Sequence, residues 1–221
     1  MRTSLSYAVL KERHRAERDT WPTTVSLRIH RALSWLQRAE QEAGDPDAAF
    51  IFYWIAFNAA YAREIEEGKV VTGEQGRYDA FIRMLVSTDR KKRIHAMVFE
   101  EFSDALKNLI GNKYVLAEYW QHHAAGTPDV DWETALQNDI RKAHGAVHHG
   151  EVYTYTRLVL SRLYVLRNQI VHGSATWNSS ANRAQTQDAA QVMRSFVPLM
   201  IDIMMDDPDQ DWGEPLYPVQ Y

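Results

Sequence analysis

The stretch that most constrains the fold is the run from Val152 to Gly173, VYTYTRLVLSRLYVLRNQIVHG. At about 100° per residue on an α-helix, its apolar side chains fall into three bands rather than one. The bands are Tyr155, Val159, Leu163, Leu166 and Ile170; Leu160, Tyr164 and Val171; and Leu158 and Val165. A helix that is apolar on several sides packs on several sides, so this stretch is predicted to be a long central helix.

One polar sector remains on this helix, and it holds Arg157, Ser161, Asn168 and His172. Asn168 and His172 are four residues apart and therefore share a face. Gly173 follows His172 at the point where a left-handed glycine commonly ends a helix. The helix is therefore predicted to stop here, with polar side chains in its last turn.

Arg167 lies five residues before His172, so about 140° separates the two side chains on an ideal helix. One straight helix does not easily aim both side chains at one atom. They converge if the last turn is distorted, if the long arginine side chain curls around, or if a second copy of the helix supplies the missing partner. The spacing leaves these three alternatives open.

The string LYVLRNQIVHG, from Leu163 to Gly173, resembles the RxxxxH motif of the HEPN superfamily, and within it the Apea-like branch. The resemblance rests on an apolar helix, on Asn168 directly after Arg167, and on His172 followed by glycine at the stop. Members of this superfamily are all-helical RNases and RNA-binding domains. The resemblance covers mainly the C-terminal part of the chain, and an aromatic-rich earlier helix containing Asn58 supports it more weakly.

The resemblance implies a metal-independent endoribonuclease that cleaves RNA by 2′-hydroxyl attack and leaves 2′,3′-cyclic phosphate ends. It implies Arg167, Asn168 and His172 as catalytic residues, a homodimer through the motif helix, RNA as substrate, and a defence or toxin–antitoxin setting whose partner protein is unknown. Some HEPN toxins carry a tyrosine two residues after the motif histidine, which an antitoxin modifies. Here that position is Ser174, so regulation of that kind is not expected.

The residues themselves fit this chemistry. Histidine serves proton transfer near neutral pH, and arginine grips phosphate oxygens with a permanent charge. The supporting or RNA-binding candidates are Asn58, Tyr61, Arg157, Ser161 and Tyr164. Structural roles remain open: Arg167 as a salt-bridge partner, His172 as a helix cap, and Asn58 as a buried amide bonded to a backbone carbonyl. A non-catalytic RNA- or nucleotide-binding module and a dimerisation or adaptor domain are the alternative functions.

Other classes of function are disfavoured by what the sequence lacks. The chain has no cysteine, which excludes disulfides, cysteine-based zinc sites and a thiol nucleophile. His144 and His148 have metal-ligand spacing, but no His-Glu-x-x-His arrangement accompanies them. The glycines from 68 to 76 lack phosphate-loop spacing. No metal and no cofactor are therefore predicted.

The charge and hydropathy of the chain limit which kinds of partner it is expected to bind. The net charge of −4 argues against non-specific nucleic-acid binding by the whole surface, although basic residues cluster in the first forty positions and at 90–93. No stretch is apolar over the length needed to cross a bilayer, and the N-terminus lacks the apolar segment of a signal peptide. No membrane association is predicted, and a cytoplasmic location is the expectation.

Helical periodicity recurs along the chain and strand alternation is absent, which predicts an all-α, HEPN-like antiparallel bundle with extra helices. Residues 1–221 are predicted to form one domain, divided into a first helical pair (20–67), a helical elaboration (68–131), the motif-bearing helices (132–206) and an extended Pro-rich tail (207–221). In detail, Asp47 is predicted to cap a helix from Ala48 to Glu67, and one helix is predicted from Asp89 to Ile110. The stripe of Leu136, Ile140, Ala143 and Val147 predicts a further helix that ends near Gly150.

Overall fold

The computed structural model describes residues 5–62, 74–124, 129–181 and 183–215, with the side chains of 74–77 excepted. Within these ranges the chain is all-helical and has no β-strand, which confirms the predicted all-α class. The described helices are α1 Tyr7–Glu17, α2 Thr23–Glu40, α3 Pro46–Tyr61, α4 Glu74–Thr88, α5 Arg93–Ala96, α6 Ser103–Gly111, α7 Ala117–His123, α8 Trp132–His149, α9 Val152–Val171 and α10 Arg183–Asp206.

The chain divides into two compact units. The first comprises Met1–Lys91 and Met193–Tyr221, and the second comprises Lys92–Val192. The first boundary falls inside the segment predicted as a helical elaboration, and the second falls within α10. The motif helix α9 belongs entirely to the second unit.

In the first unit, α2 and α3 pack closely along their lengths. The buried Arg28 of α2 donates hydrogen bonds to the carbonyl oxygens of Ala60 (2.6 Å), Ala62 (2.8 Å) and Gly213 (2.9 Å). These bonds satisfy carbonyls at the end of α3, where no intrahelical donor remains. A single arginine therefore joins α2, the end of α3 and the segment that follows α10.

Two predictions about α3 are wrong. Its N-cap is Asp45, whose carboxylate accepts from the N–H groups of Asp47 and Ala48, while Pro46 occupies the first helical position. Proline favours that position because it has no N–H to leave unpaired, and this selects Asp45 over Asp47 as the cap. The helix ends at Tyr61, since Ala62 is extended, and not at Glu67, which lies outside the described residues.

The buried face of α3 also differs from the one that the sequence predicts. Helical periodicity places Ile51, Trp54, Ile55, Asn58, Tyr61, Ala62 and Ile65 on one face. The side chains that it buries are Ala49, Phe50, Tyr53, Trp54, Ala56, Phe57, Ala60 and Tyr61. Ile51, Ile55 and Asn58 of the predicted stripe are only partly buried. The reason is that α3 is apolar on nearly every side, so periodicity alone does not select the inward face.

The single helix predicted from Asp89 to Ile110 is broken. It starts at Arg93 after a left-handed Lys92 (φ 52°), widens into a π-helical turn over Met97–Glu101, and resumes as α6 after Phe102. Phe102 lies outside the helical region of the backbone, at φ −116° and ψ 19°. Wide turns of this kind interrupt the regular hydrogen-bond ladder and separate two helical segments.

In the second unit, α8 and α9 form a hairpin. The left-handed Gly150 (φ 67°) ends α8, and the N–H of Glu151 returns to the carbonyl of Ala146 at 2.8 Å. Helix α6 packs against both, and α7 packs against α8. The helix predicted from the stripe of Leu136, Ile140, Ala143 and Val147 is α8, and it ends next to Gly150 as predicted. Val147 is 46% exposed.

The long helix α10 carries Pro198 in its interior. Helical periodicity in this segment predicts eight inward-facing side chains, and all of them are buried: Ala189, Val192, Met193, Phe196, Val197, Met200, Ile203 and Met204. The segment after it is not simply an extended tail. Trp212 is buried, and its Nε1 donates to the carbonyl of Asp207 at 3.0 Å. Residues 216–221 of the predicted tail lie outside the described residues. Across the described ranges, no helix combines the length and the apolar character required to cross a bilayer.

Candidate functional site

The C-terminal end of α9 is held by a defined stop signal. His172 is the cap residue, with φ −90° and ψ 9°, and its N–H donates to the carbonyl of Asn168 at 3.0 Å. Gly173 is left-handed at φ 72°, as predicted, and donates to Ile170 at 3.1 Å, while Ala175 donates to Gln169 at 2.9 Å. The last-turn carbonyls are thus satisfied, and the chain turns away directly after His172.

Arg167 and Asn168 form a hydrogen-bonded pair at this end of the helix. Arg167 Nη1 donates to Asn168 Oδ1 at 2.8 Å, and the guanidinium carbon lies 5.8 Å from the centre of the Tyr164 ring. The asparagine oxygen and the tyrosine face therefore both hold the guanidinium. Among the described residues Asn168 orients Arg167, and no hydrogen bond joins its side chain to His172.

The imidazole of His172 is exposed and makes no hydrogen bond to any described residue. It sits one position after the end of α9, next to Val171, which is 53% exposed. The structure thus brings Arg167, Asn168 and His172 to the same solvent-accessible helix end.

The other predicted residues on α9 are placed elsewhere. Arg157 is exposed, and the ten residues between it and Arg167 correspond to about 15 Å along the helix. The Ser161 hydroxyl donates to the carbonyl of Leu158 at 2.7 Å, within its own helix. Tyr164, by contrast, lies beside Arg167, whose guanidinium is over its ring.

Asn58 and Tyr61 belong to the first unit, so their predicted support of the motif helix stays a prediction. Tyr61 is buried in an aromatic cluster, with ring centres 4.7 Å from Phe57 and 6.2 Å from Tyr78. Asn58 Oδ1 is buried and accepts no hydrogen bond from any described residue. A buried amide oxygen of this kind costs stability, which the sequence prediction of a satisfied amide did not anticipate.

An aromatic patch lies beside the last turns of α9, and sequence reasoning missed it. We define it by Tyr114, Tyr119, Trp120 and Trp132. Gln169, inside the motif, donates from Nε2 to the carbonyl of Tyr114 at 2.7 Å. Trp120 Nε1 donates to the same carbonyl at 2.8 Å.

The rings of the aromatic patch pack edge to face around Tyr119, with centres 5.5 Å from Tyr114, 5.3 Å from Trp120 and 5.1 Å from Trp132. The ammonium of Lys113 lies 5.2 to 5.6 Å from three of these rings, close enough for cation–π attraction. Tyr114 is 45% exposed and Trp120 is 46% exposed, so the patch presents ring faces to solvent next to the motif.

Arg162 is a second residue that the sequence did not single out. It is buried, donates to the carbonyl of Ile110 at 3.2 Å, and pairs with Asp139 at 3.1 Å. Burial lowers the pKa of Arg162, and the carboxylate of Asp139 opposes this shift. Since Ile110 ends α6 and Asp139 lies on α8, this guanidinium fixes α9 against both helices five residues before Arg167.

The two pairs of adjacent histidines contact the backbone or each other. His122 Nδ1 donates to the carbonyl of Val130 at 2.9 Å, and His123 Nδ1 donates to that of Tyr119 at 2.7 Å. The rings of His148 and His149 lie 4.8 Å apart. Within the part of the chain that the structure describes, no three histidine or acidic side chains gather in a way that could hold a metal ion.

Comparison with known proteins gives no relative for this chain: no protein-family model, no curated protein and no solved structure matches it. The chemistry of the site therefore rests on its own residues and their placement.

Proposed function

We propose that this protein is a metal-independent endoribonuclease of the HEPN type, with Arg167, Asn168 and His172 as its site. The observation that carries the proposal is the placement of these three residues at one solvent-accessible, glycine-capped helix end. Arginine held by an amide oxygen is suited to grip a phosphate, and an accessible imidazole is suited to transfer protons.

The proposed reaction uses the nucleophile that RNA carries. A histidine removes the proton of the 2′-hydroxyl, O2′ attacks the adjacent phosphorus, and the bond from phosphorus to O5′ breaks. The departing O5′ takes up a proton, which leaves a 2′,3′-cyclic phosphate and a 5′-hydroxyl. Arg167 binds the non-bridging oxygens as negative charge develops on them.

About 140° separates Arg167 from His172 on an ideal helix, so one copy does not easily aim both side chains at the same phosphate. We therefore propose that two copies of the chain place their motif helices face to face, so that each site receives residues from both. The exposed Val171 beside His172 provides an apolar contact for this arrangement. A defence or toxin–antitoxin role, with an unidentified partner protein, belongs to the same proposal.

The aromatic patch supports RNA as the ligand. Exposed tyrosine and tryptophan faces stack on unpaired bases, which contributes about 1–3 kcal/mol per base. Asp131 and Glu133 flank Trp132 at the start of α8, so the patch is not uniformly basic. Its proposed role is therefore base stacking, while Arg167 binds the phosphate.

The test is cleavage of single-stranded RNA by purified protein in excess EDTA. Arg167→Ala and His172→Ala are expected to lower the cleavage rate at least about a hundredfold, because each removes a group that acts in the transition state. His149→Ala, another exposed histidine at a helix end, is the matched control and should keep full activity. Undiminished cleavage by His172→Ala overturns the proposed role of His172.

One observation favours a second candidate, a non-catalytic RNA-binding module of the same fold. The His172 imidazole has no hydrogen-bonding partner among the described residues to orient it, whereas catalytic histidines are usually held by such a partner. RNA binding that weakens in Arg167→Ala, together with no cleavage by the wild-type protein, would support this candidate instead.

A further inference from the structure

A cavity of about 270 Å³ opens in the second unit between α6, α8 and the first turn of α9. Tyr155 on its wall precedes His172 by seventeen residues, which corresponds to about 25 Å along the helix. The cavity is therefore separate from the motif end of α9. Its volume is near the lower end of small-molecule pockets, which span about 300–1,000 Å³.

The wall of the cavity is mainly apolar and its polar lining is basic. Ile110, Ile140, Ala143 and Val147 supply the apolar side chains, and Lys107, His144 and His148 supply the charged or ionisable ones. No acidic residue is among the described side chains that line the cavity. A ligand with an apolar body and a negatively charged end complements such a lining.

The charges around the cavity also favour a negatively charged ligand. From Ile140 to Gly150, helix α8 carries five basic or imidazole side chains and no acidic one: Arg141, Lys142, His144, His148 and His149. Lys107 pairs with Asp104 at 3.4 Å, but the Asp104 side chain is 92% exposed. Exposed ion pairs of this kind contribute little to stability, so the Lys107 ammonium remains available to a ligand.

Tyr155 adds an independent observation. Its side chain is 1% exposed, and its hydroxyl makes no hydrogen bond to any residue that the structure describes. Burial raises the pKa of Tyr155, so the hydroxyl keeps its proton and remains a donor. Since Tyr155 lines the cavity, a ligand oxygen bound there can accept a hydrogen bond from this hydroxyl.

We propose that this cavity binds a small organic anion, with an apolar body between α6 and α8 and a single carboxylate at the basic side. The carboxylate accepts hydrogen bonds from the Tyr155 hydroxyl and from Lys107, with His144 and His148 nearby. This site does not depend on the ribonuclease proposal, since it uses none of the motif residues.

The first experiment compares three probes of one shape: 3-phenylpropanoate, 3-phenylpropan-1-ol and 3-phenylpropylamine. Their affinities for the full-length protein are measured by ligand-observed NMR. The carboxylate is expected to bind at least about fivefold more tightly than the alcohol, because charge-assisted hydrogen bonds are the stronger ones, and the amine is expected to bind most weakly. Absence of carboxylate binding, or equal affinity for all three probes, overturns the proposal.

The second experiment locates the site. Val147→Trp is expected to abolish carboxylate binding, because the larger ring fills the cavity from a partly exposed position. Val9→Trp on α1 is the matched control, at a similarly exposed valine in the first unit. Carboxylate binding that survives Val147→Trp unchanged assigns the ligand to another place and overturns the proposal.

Tyr155→Phe separates ligand binding from a structural role. It is expected to weaken carboxylate binding about fivefold while leaving the thermal midpoint unchanged or raised, because the lost hydroxyl had no protein partner. A lowered thermal midpoint with unchanged affinity contradicts the role assigned to this hydroxyl. RNA cleavage is measured on the same variants and is expected to be unaffected, so failure of either proposal is seen separately.

Discussion

At the scale of single residues, the buried guanidinium of Arg162 sets the position of the proposed site. It holds the Ile110 carbonyl and the Asp139 carboxylate at once, from a side chain that is 3% exposed. Replacing it with alanine removes the donor to the buried Ile110 carbonyl and leaves the part-buried Asp139 with its exposed partner Lys142 at 3.4 Å. Loss of a buried hydrogen-bonding partner typically costs about 1–3 kcal/mol.

Arg162→Ala is therefore expected to lower the free energy of unfolding by about 1–3 kcal/mol in urea denaturation. Arg157→Ala, on the exposed side of the same helix, is the matched control and should stay within about 0.5 kcal/mol. A loss below about 1 kcal/mol for Arg162→Ala would show that α9 is anchored by other contacts.

His14 in α1 is the residue that links the stability of the first unit to pH. Its side chain is buried, and one ring nitrogen lies 3.2 Å from the carbonyl oxygen of Ser26. Burial lowers the pKa of His14, and the Ser26 carbonyl opposes this while the charges of Lys11, His30 and Arg18 add to it. The folded state therefore binds this proton less readily than the unfolded chain does.

It follows that His14 favours the folded state above its ordinary pKa of 6.5 and that this contribution is lost as the pH falls below that value. We expect unfolding midpoints of the wild-type protein to fall more steeply between pH 7 and pH 5 than those of His14→Gln, which has no proton to take up. Parallel pH profiles for the two proteins would contradict this assignment.

At the scale of helices, the features that could be predicted from the sequence are those determined by neighbouring residues. The left-handed Gly173 (φ 72°) and the buried side of α10 follow from cap chemistry and helical periodicity. The inward face of α3 does not follow, because an all-round apolar helix offers several equivalent faces. The break at Phe102 and the placement of the aromatic patch depend on contacts between segments distant in sequence, which no local pattern encodes.

The aromatic patch gives the prediction that belongs to this scale. In the His172→Ala background, the double change Tyr114→Ala and Trp120→Ala is expected to weaken binding of single-stranded RNA about tenfold or more, since each stacked base contributes about 1–3 kcal/mol. Fluorescence polarisation of a labelled oligonucleotide measures the affinity. Trp35→Ala, at another exposed tryptophan, is the control, and an equal loss there would exclude a specific role for the patch.

At the scale of the whole molecule, the two compact units each hold part of what the sequence predicted for the site. The motif residues lie in the second unit, and Asn58 and Tyr61 lie in the first. Sequence spacing identifies the exposed end of α9, but it does not say what completes a site there. In the proposed function a second copy of the chain completes the site, and the periodicity of one chain carries no signal for such a contact.

Mixing two inactive variants tests whether each site draws on two copies. If one copy supplies Arg167 and the other His172, an equilibrated mixture of Arg167→Ala and His172→Ala should recover about a quarter of the wild-type cleavage rate, since half of the dimers are mixed and each has one intact site. Size-exclusion chromatography with light scattering checks that dimers form. No recovery from a mixture shown to contain mixed dimers would exclude sites that combine one residue from each copy.

The most direct measurement is the chemical nature of the RNA ends after cleavage in EDTA, determined by mass spectrometry. The proposed reaction predicts a 2′,3′-cyclic phosphate on the upstream fragment and a 5′-hydroxyl on the downstream one. It also predicts that replacing the ribose at the scissile position with 2′-deoxyribose stops cleavage there. Upstream fragments with 3′-hydroxyl ends, or continued cleavage at the 2′-deoxy position, would contradict a mechanism in which the 2′-hydroxyl attacks at the end of α9.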